Sequence, residues 1–265
     1  MLSLSNTYDE QDLFDFDRRV KEALSEKEKV EYVVELKIDG ASVSINYING
    51  KFKTAATRGD GTTGEEITTN VKTIRSIPLK IDLSKVKKYK LNDFEVRGEV
   101  FMRIEDFENL NKERESKEEK LFANPRNSTA GTLKLQDPKI VASRKLNVFL
   151  YSLISVDEEF NSQQENLKLL KDLGFMVNDK YQICKSIDEV LKVCNKFEEI
   201  RDTLDYEIDG AVIKVNSIHQ QKILGSIATV SYTHLRAHET VLDLVCRLLL
   251  EKKKYNHSHQ QTHHL

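Results

Sequence analysis

No stretch of the 265-residue sequence approaches the roughly 20 apolar residues that a membrane-crossing helix needs. The opening residues, Met1 to Ser5, lack a basic segment followed by an apolar one, so no signal peptide is expected. Cysteine is scarce. Cys184, Cys194 and Cys246 form no metal-type spacing, and three thiols without a secretion signal fit a reducing cytoplasm. An excess of either charge is also missing: a formal net charge of −2 gives no global signature of nucleic-acid binding, so any such contact must come from local basic patches. What is present, 39% hydrophobic and 32% charged residues, describes a globular chain long enough for one large domain or two small ones.

The stretch around which the rest is arranged is Glu35-Leu36-Lys37-Ile38-Asp39-Gly40. It closes one apolar, β-branched run and opens another. Alternation along a strand puts Glu35, Lys37 and Asp39 on one face, with Leu36 and Ile38 on the other. Gly40 lets the chain turn where a larger residue would obstruct a ligand. The pattern fits a covalent lysine nucleophile at Lys37; it also fits a strand-end lysine paired with acids on a solvated face.

Residues 9–25 read as an amphipathic helix with Leu13, Phe14, Phe16, Val20 and Leu24 on its apolar side. Strands follow at 31–37, 41–48 and 51–57, the last two joined by the hairpin signal Asn49-Gly50. The segment from Thr57 to Glu66 combines three glycines, the two hydroxyls of Thr62 and Thr63, and Arg58, a composition that suits a phosphate-binding loop. It suits equally a glycine-rich turn capping a helix that starts over 63–66. Residues 94–102 predict a strand with Arg97, Glu99 and Phe101 on one face. Its Gly98 points to close approach of a ligand or another backbone, or the strand is an edge with a surface ion pair. Residues 104–120 form a charged helix. Residues 122–134 give a turn and a small-residue helix start, either facing an anion beside Arg126 or merely capped. A strand is expected at 148–156, helices at 162–173 and 186–204, and a strand at 206–215 bearing a second Asp-Gly and Lys214. Two strands that each carry a lysine and an Asp-Gly read as two walls of one site. Helices mixed with strands in no strict βαβ alternation predict an α+β fold with antiparallel sheets.

The character of the chain changes near its end. Six of its seven histidines lie at or after His234. The run from Ser231 to Asp243 resembles translated adapter or vector read-through, so residues 230–265 are expected to be a foreign tail.

Residues 1–229 resemble the adenylation domain of bacterial NAD-dependent DNA ligases. The motifs are MLSL at 1–4, ELKIDG at 35–40, ATRGDGTTGE at 56–65, EVRGEVF at 95–101, FANPRN at 122–127 and DGAVIKVNS at 209–217. The resemblance implies the nucleotidyltransferase fold shared with mRNA capping enzymes, its antiparallel sheets flanked by helices. It implies that Lys37 attacks the α-phosphate of NAD, releases nicotinamide mononucleotide and becomes lysyl-AMP. AMP then passes to the 5′-phosphate of nicked double-stranded DNA, and the 3′-hydroxyl displaces it. By the same resemblance Ser3 and Leu4 meet the adenine, Glu35 reads its amino group, and Arg58 and Glu99 hold the ribose. Lys214 contacts the α-phosphate, while Asp39 and Arg126 orient Lys37 and the phosphates. Magnesium is the implied metal, with no ligands assigned; zinc belongs to a module not seen in this sequence. A cytoplasmic, monomeric bacterial enzyme away from membranes is expected.

A free lysine has a pKa near 10.4, so the neutral amine costs about 4 kcal/mol near pH 7.5. Burial and nearby cations such as Lys214 or magnesium oppose the ammonium form, and the same cations screen the phosphate. Three family features are missing from the sequence: the segment gripping the nicotinamide end, a further lysine on a strand after Gly225, and the modules beyond. Lys134 stands where arginine is expected, keeping charge but losing a bidentate grip. The isolated chain is therefore expected to be poorly active or inactive. The alternatives are a nucleotide-binding fragment without catalysis, and an ATP-dependent ligase or capping-type transferase.

Overall fold

The computed structural model describes residues 5–25 and 28–233. In chain order the elements are β1 (Ser5–Thr7), α1 (Glu10–Ala23), β2 (Tyr32–Ile38), β3 (Ala41–Ile48), β4 (Lys51–Thr57), α2 (Thr68–Val71), β5 (Asp93–Phe101), α3 (Ile104–Ser116) and α4 (Pro125–Leu133). They continue with α5 (Pro138–Ser143), β6 (Asn147–Ser155), α6 (Gln163–Asp172), β7 (Gln182–Cys184), α7 (Ile187–Ile200), β8 (Ile208–Val215), α8 (Ile218–Leu224) and β9 (Thr229–Tyr232). Two sheets result, one ordered β1-β9-β8-β2-β7 and the other β4-β3-β5-β6. All pairings are antiparallel except β1 with β9. The α+β reading of the sequence describes this architecture.

Most strands lie where alternation places them, because one face of each meets a core. In β5 the side chains of Val96 and Val100 are fully buried, while Arg97 and Glu99 face the other way and stay half-buried. This strand is interior to its sheet, not an edge. Its Gly98 sits at a register shift, where a Cβ would strike the Phe149 carbonyl and Leu150 of β6, so the close approach is to a neighbouring backbone. Gly40 answers to the same cause: a Cβ there would meet the Val100 carbonyl of β5, so a strand and not a ligand requires the glycine.

Three other expectations need correction. Phe14 is 38% exposed; the inward stripe of α1 is Leu13, Phe16, Asp17 and Val20, one position out of phase with it. Asp17 is tolerated inside because Tyr32 donates its hydroxyl proton to it at 2.6 Å and Lys21 pairs with it at 2.7 Å. No helix starts over 63–66. Asp60 accepts from the Thr62 and Thr63 amides at 2.8 and 2.7 Å, and the Thr57 amide donates to the Glu65 carbonyl, so the segment closes on itself and α2 begins only at Thr68. Finally, β2 and β8 are adjacent strands of one wall, not opposite walls.

The sheet extends past the boundary expected at residue 229: Val230, Ser231 and Tyr232 are buried in β9, between β1 and β8. Ser3, Leu4, Cys246 and the tail from 234 onward lie outside the described residues. Cys184 and Cys194 are buried, free thiols, and burial pushes them up to about 11 and about 12, which makes them unreactive core residues. Among the described residues no helix is long and apolar enough to cross a membrane.

Candidate active site

The two sheets face each other across a cleft of about 580 Å³, of a size that suits a nucleotide. One wall comes from β2, β8 and β9, the other from β3, β5 and β6, and α6 closes one side with Gln163 and Leu167. Glu35, Lys37, Arg58, Glu99, Arg126 and Lys214, six of the residues singled out in the sequence, line this one space. Asp39 reaches it through Arg126.

Antiparallel neighbours place residues near the ends of β2 and β8 side by side, with Ile38 opposite Ile208. The Lys37 amine, on a side chain about a quarter exposed, pairs there with the Asp209 carboxylate. Two residues back along β2, Glu35 Oε1 accepts from Lys214 Nζ at 2.7 Å and from Gln163 Nε2 at 3.0 Å. The Lys214 ammonium also sits 4.9 Å from the centre of the Tyr151 ring. Both ions of the Glu35–Lys214 pair are nearly buried, an arrangement stable only because each charge has its partner.

Across the cleft, Ser42 Oγ donates to Glu99 Oε2 at 2.8 Å. Burial pushes the Glu99 carboxyl up to about 7; the Ser42 hydrogen bond and the Arg126 charge oppose that rise, and the Asp39 charge adds to it. Arg126, on the first turn of α4, reaches back to Asp39 Oδ1 at 3.0 Å. Asn124 caps that helix by accepting from the Asn127 amide, and Pro125 fits its first position, so the turn that aims Arg126 is fixed locally. A second hollow of about 630 Å³ shares Ser42, Arg58, Glu99 and Arg126 with the first and extends to the loop over 57–65. At its far side Lys134 pairs with Glu65 at 2.7 Å.

Sequence reasoning missed Asp209, although its motif was in view: only the lysine of DGAVIKV was assigned a role. Gln163, Tyr151 and Ser42 carried no sequence signal, since each matters through a partner 12 or more residues away on another element. Among the described residues no group of three or more His, Cys, Asp or Glu side chains is arranged to hold a metal ion.

Two largely antiparallel sheets enclosing a nucleotide-sized cleft, with a lysine amine on its wall, have the form of a nucleotidyltransferase-type ligase domain. Sequence comparison makes this specific. The family model described as NAD-dependent DNA ligase adenylation domain matches residues 1–232. The DNA ligase of Clostridioides difficile is 48% identical over 229 residues, and that of Brevibacillus brevis 52% identical over 229, each match covering 86% of this chain. The chain spans about a third of the length of these curated relatives, 33% in both cases. An archaeal ATP-dependent RNA ligase of known structure is similar at a TM-score of 0.49 and 14% identity, over 88% of this chain and 48% of that one. The chain belongs to the NAD-dependent DNA ligase adenylation domain family.

Proposed function

We propose that this domain carries out the self-adenylation step of a DNA ligase, with Lys37 as the nucleophile and NAD as the AMP donor. The observation that carries the reading is the Lys37 amine beside a carboxylate, Asp209, in a cleft that also holds Glu35, Arg58, Glu99, Arg126 and Lys214. In the step, a bond forms between Lys37 Nζ and the α-phosphorus of NAD. The bond from that phosphorus to the bridging oxygen breaks, and nicotinamide mononucleotide leaves with the electron pair. The amine must first lose a proton, and Asp209 is the nearest group able to take it.

The remaining roles are carried over from the family resemblance. Glu35 meets the adenine amino group, with Ser3 and Leu4 assigned to the same region. Lys214 approaches the α-phosphate, Glu99 and Arg58 hold the ribose, and Arg126, oriented by Asp39, steadies the phosphates. Magnesium, when bound, would screen the phosphate charge. Asp39 and Asp209 are already paired with Arg126 and Lys37, so magnesium would be held chiefly by the nucleotide's phosphates and water, with at most one or two protein carboxylates. In the parent enzyme the AMP then goes to the 5′-phosphate of nicked double-stranded DNA, in a cytoplasmic setting.

Incubating the chain with NAD or with ATP and magnesium, then weighing it, tests the proposal. The expected result is slow, incomplete addition of one AMP to Lys37 with NAD, in keeping with a poorly active chain, and none with ATP. AMP addition from ATP alone would transfer the domain to the ATP-dependent class. Reversible binding of AMP without any adduct would make it a nucleotide-binding fragment.

A further inference from the structure

We infer that Gln163 is a positioning residue that sets base selectivity, by holding Glu35 so that the cleft accepts an amino group and rejects an oxo group. The inference rests on the proposed adenylation reading and adds to it the residue that makes the base pocket selective.

Gln163 is 4% exposed and opens α6, directly after its capping residue Ser162. Its single Nε2 donates twice, to Glu35 Oε1 at 3.0 Å and to the Tyr151 carbonyl at 2.9 Å. Glu35 belongs to one sheet and Tyr151 to the other, so one amide group ties both walls of the cleft together. Both acceptors are oxygens, which fixes the amide orientation without ambiguity. The backbone of Gln163 is held as firmly. Its N–H donates to the Asn216 carbonyl at 2.8 Å, and the Gln164 N–H to Asn216 Oδ1 at 3.1 Å. Asn216 follows the strand that carries Lys214, and its own N–H donates to the Glu31 carbonyl just before β2. Gln163, Lys214 and Glu35 are therefore registered on one node.

The consequence lies in the carboxylate. Lys214 and Gln163 both converge on Oε1, leaving Oε2 as the oxygen a base in the cleft would meet. A carboxylate oxygen is only an acceptor. It pairs with a 6-amino group and is repelled by a 6-oxo group at the same place. Lys214 alone would hold Glu35 with a flexible point charge; the added amide restricts rotation about the carboxylate's own axis. With the carboxylate free to rotate, Lys214 and the base could exchange oxygens, and the discrimination would weaken.

The test is calorimetric titration of the full chain with AMP and with inosine monophosphate, for wild type, Gln163→Leu and Gln163→Glu. Wild type should prefer AMP by about tenfold or more, the scale of one hydrogen bond to a charged group. Gln163→Leu should bring the two ligands within about threefold of each other. Gln163→Glu keeps the volume and places two carboxylates together; a shared proton can bridge them only as pH falls. Its preference should be lost at pH 8 and return toward pH 6, a response no merely structural role would give. Dividing one affinity by the other cancels the phosphate titration common to both ligands. An AMP preference unchanged in both variants would overturn the inference while leaving the adenylation reading intact. Equal binding of the two ligands by wild type would also overturn it. Binding of neither ligand by a folded wild-type chain would overturn the adenylation reading itself, and this inference with it.

Discussion

Under the proposed mechanism Lys37 faces two demands that pull in opposite directions. Its side chain must be held, which Asp209 does by pairing with the ammonium, and it must give up a proton before it can attack. One carboxylate meets both needs if it receives the proton. Lys37→Arg keeps a cation beside Asp209 but has no usable nucleophile, so mass spectrometry should find no AMP adduct while AMP affinity holds within a few-fold. Asp209→Asn should slow adduct formation by about 10²-fold with a similarly small effect on AMP affinity. Equal losses in rate and affinity would make Asp209 a binding group instead. Glu99 yields a pH prediction. Its carboxyl rises from an ordinary 4.5 to about 7 on folding. Between those values the folded chain holds the proton that the unfolded chain has lost, so stability falls as pH rises through this window and is flat above it. The effect is at most about 3 kcal/mol. Denaturant titrations at pH 5 and pH 8 should show wild type losing stability relative to Glu99→Gln; a constant gap between the two proteins would refute the assignment. The expectation at Lys37 came from a lysine between two acids at a strand end taken together with the family motifs, and the structure puts that residue on the wall of the cleft. That Asp209, and not the neighbours Glu35 and Asp39, is its partner was not legible. Chain proximity suggested the neighbours, while strand pairing brings in a residue 172 positions away.

Elements were legible wherever one face of a period meets a core, as in β3, β5 and β6, and at α1, α6 and α7, each capped by Asp or Ser. The segment over 57–66 was not, because Thr and Glu at helix-start spacing compete with an Asx turn on Asp60, and the choice turns on a few local hydrogen bonds. Phe14 illustrates a different limit. A stripe of apolar residues can be drawn through it, yet Asp17 goes inside because a tyrosine from β2 waits there. At this scale Gly98 offers the sharpest test. It is interior to a four-stranded sheet and lies against the backbone of β6, which cannot move aside without breaking the ladder. Gly98→Ala should cost about 2–3 kcal/mol in equilibrium unfolding, as overpacking in a core does. A cost under about 0.5 kcal/mol would mean that the bulge absorbs a methyl group.

For the molecule as a whole, the question is where the working domain stops. The sequence suggested a boundary at 229, from the histidine-rich composition beyond it and from likeness to read-through. The sheet argues for a later one, since Val230 and Tyr232 are almost wholly buried and the Ser231 backbone pairs with Val212 on one side and Asn6 on the other. A strand between two others is held by its backbone as much as by its side chains, so even residues of foreign origin stabilise a sheet if they alternate suitably. The family match to residue 232 is compatible with that placement. The two sources of boundary can be separated by truncation. A chain ending at Thr233 should unfold at the same denaturant concentration as the full chain and accept AMP to the same extent. A chain ending at Ala228 loses β9, leaves β1 without a neighbour and uncovers one side of β8. Removing the buried Val230 and Tyr232 alone should cost about 4 kcal/mol, enough to leave a marginal domain largely unfolded. If the shorter chain is as stable as the longer, β9 is a dispensable edge and the boundary returns to 229. If ending at Thr233 destabilises the fold, residues beyond 233 belong to the domain, and the reading of the tail as foreign is wrong.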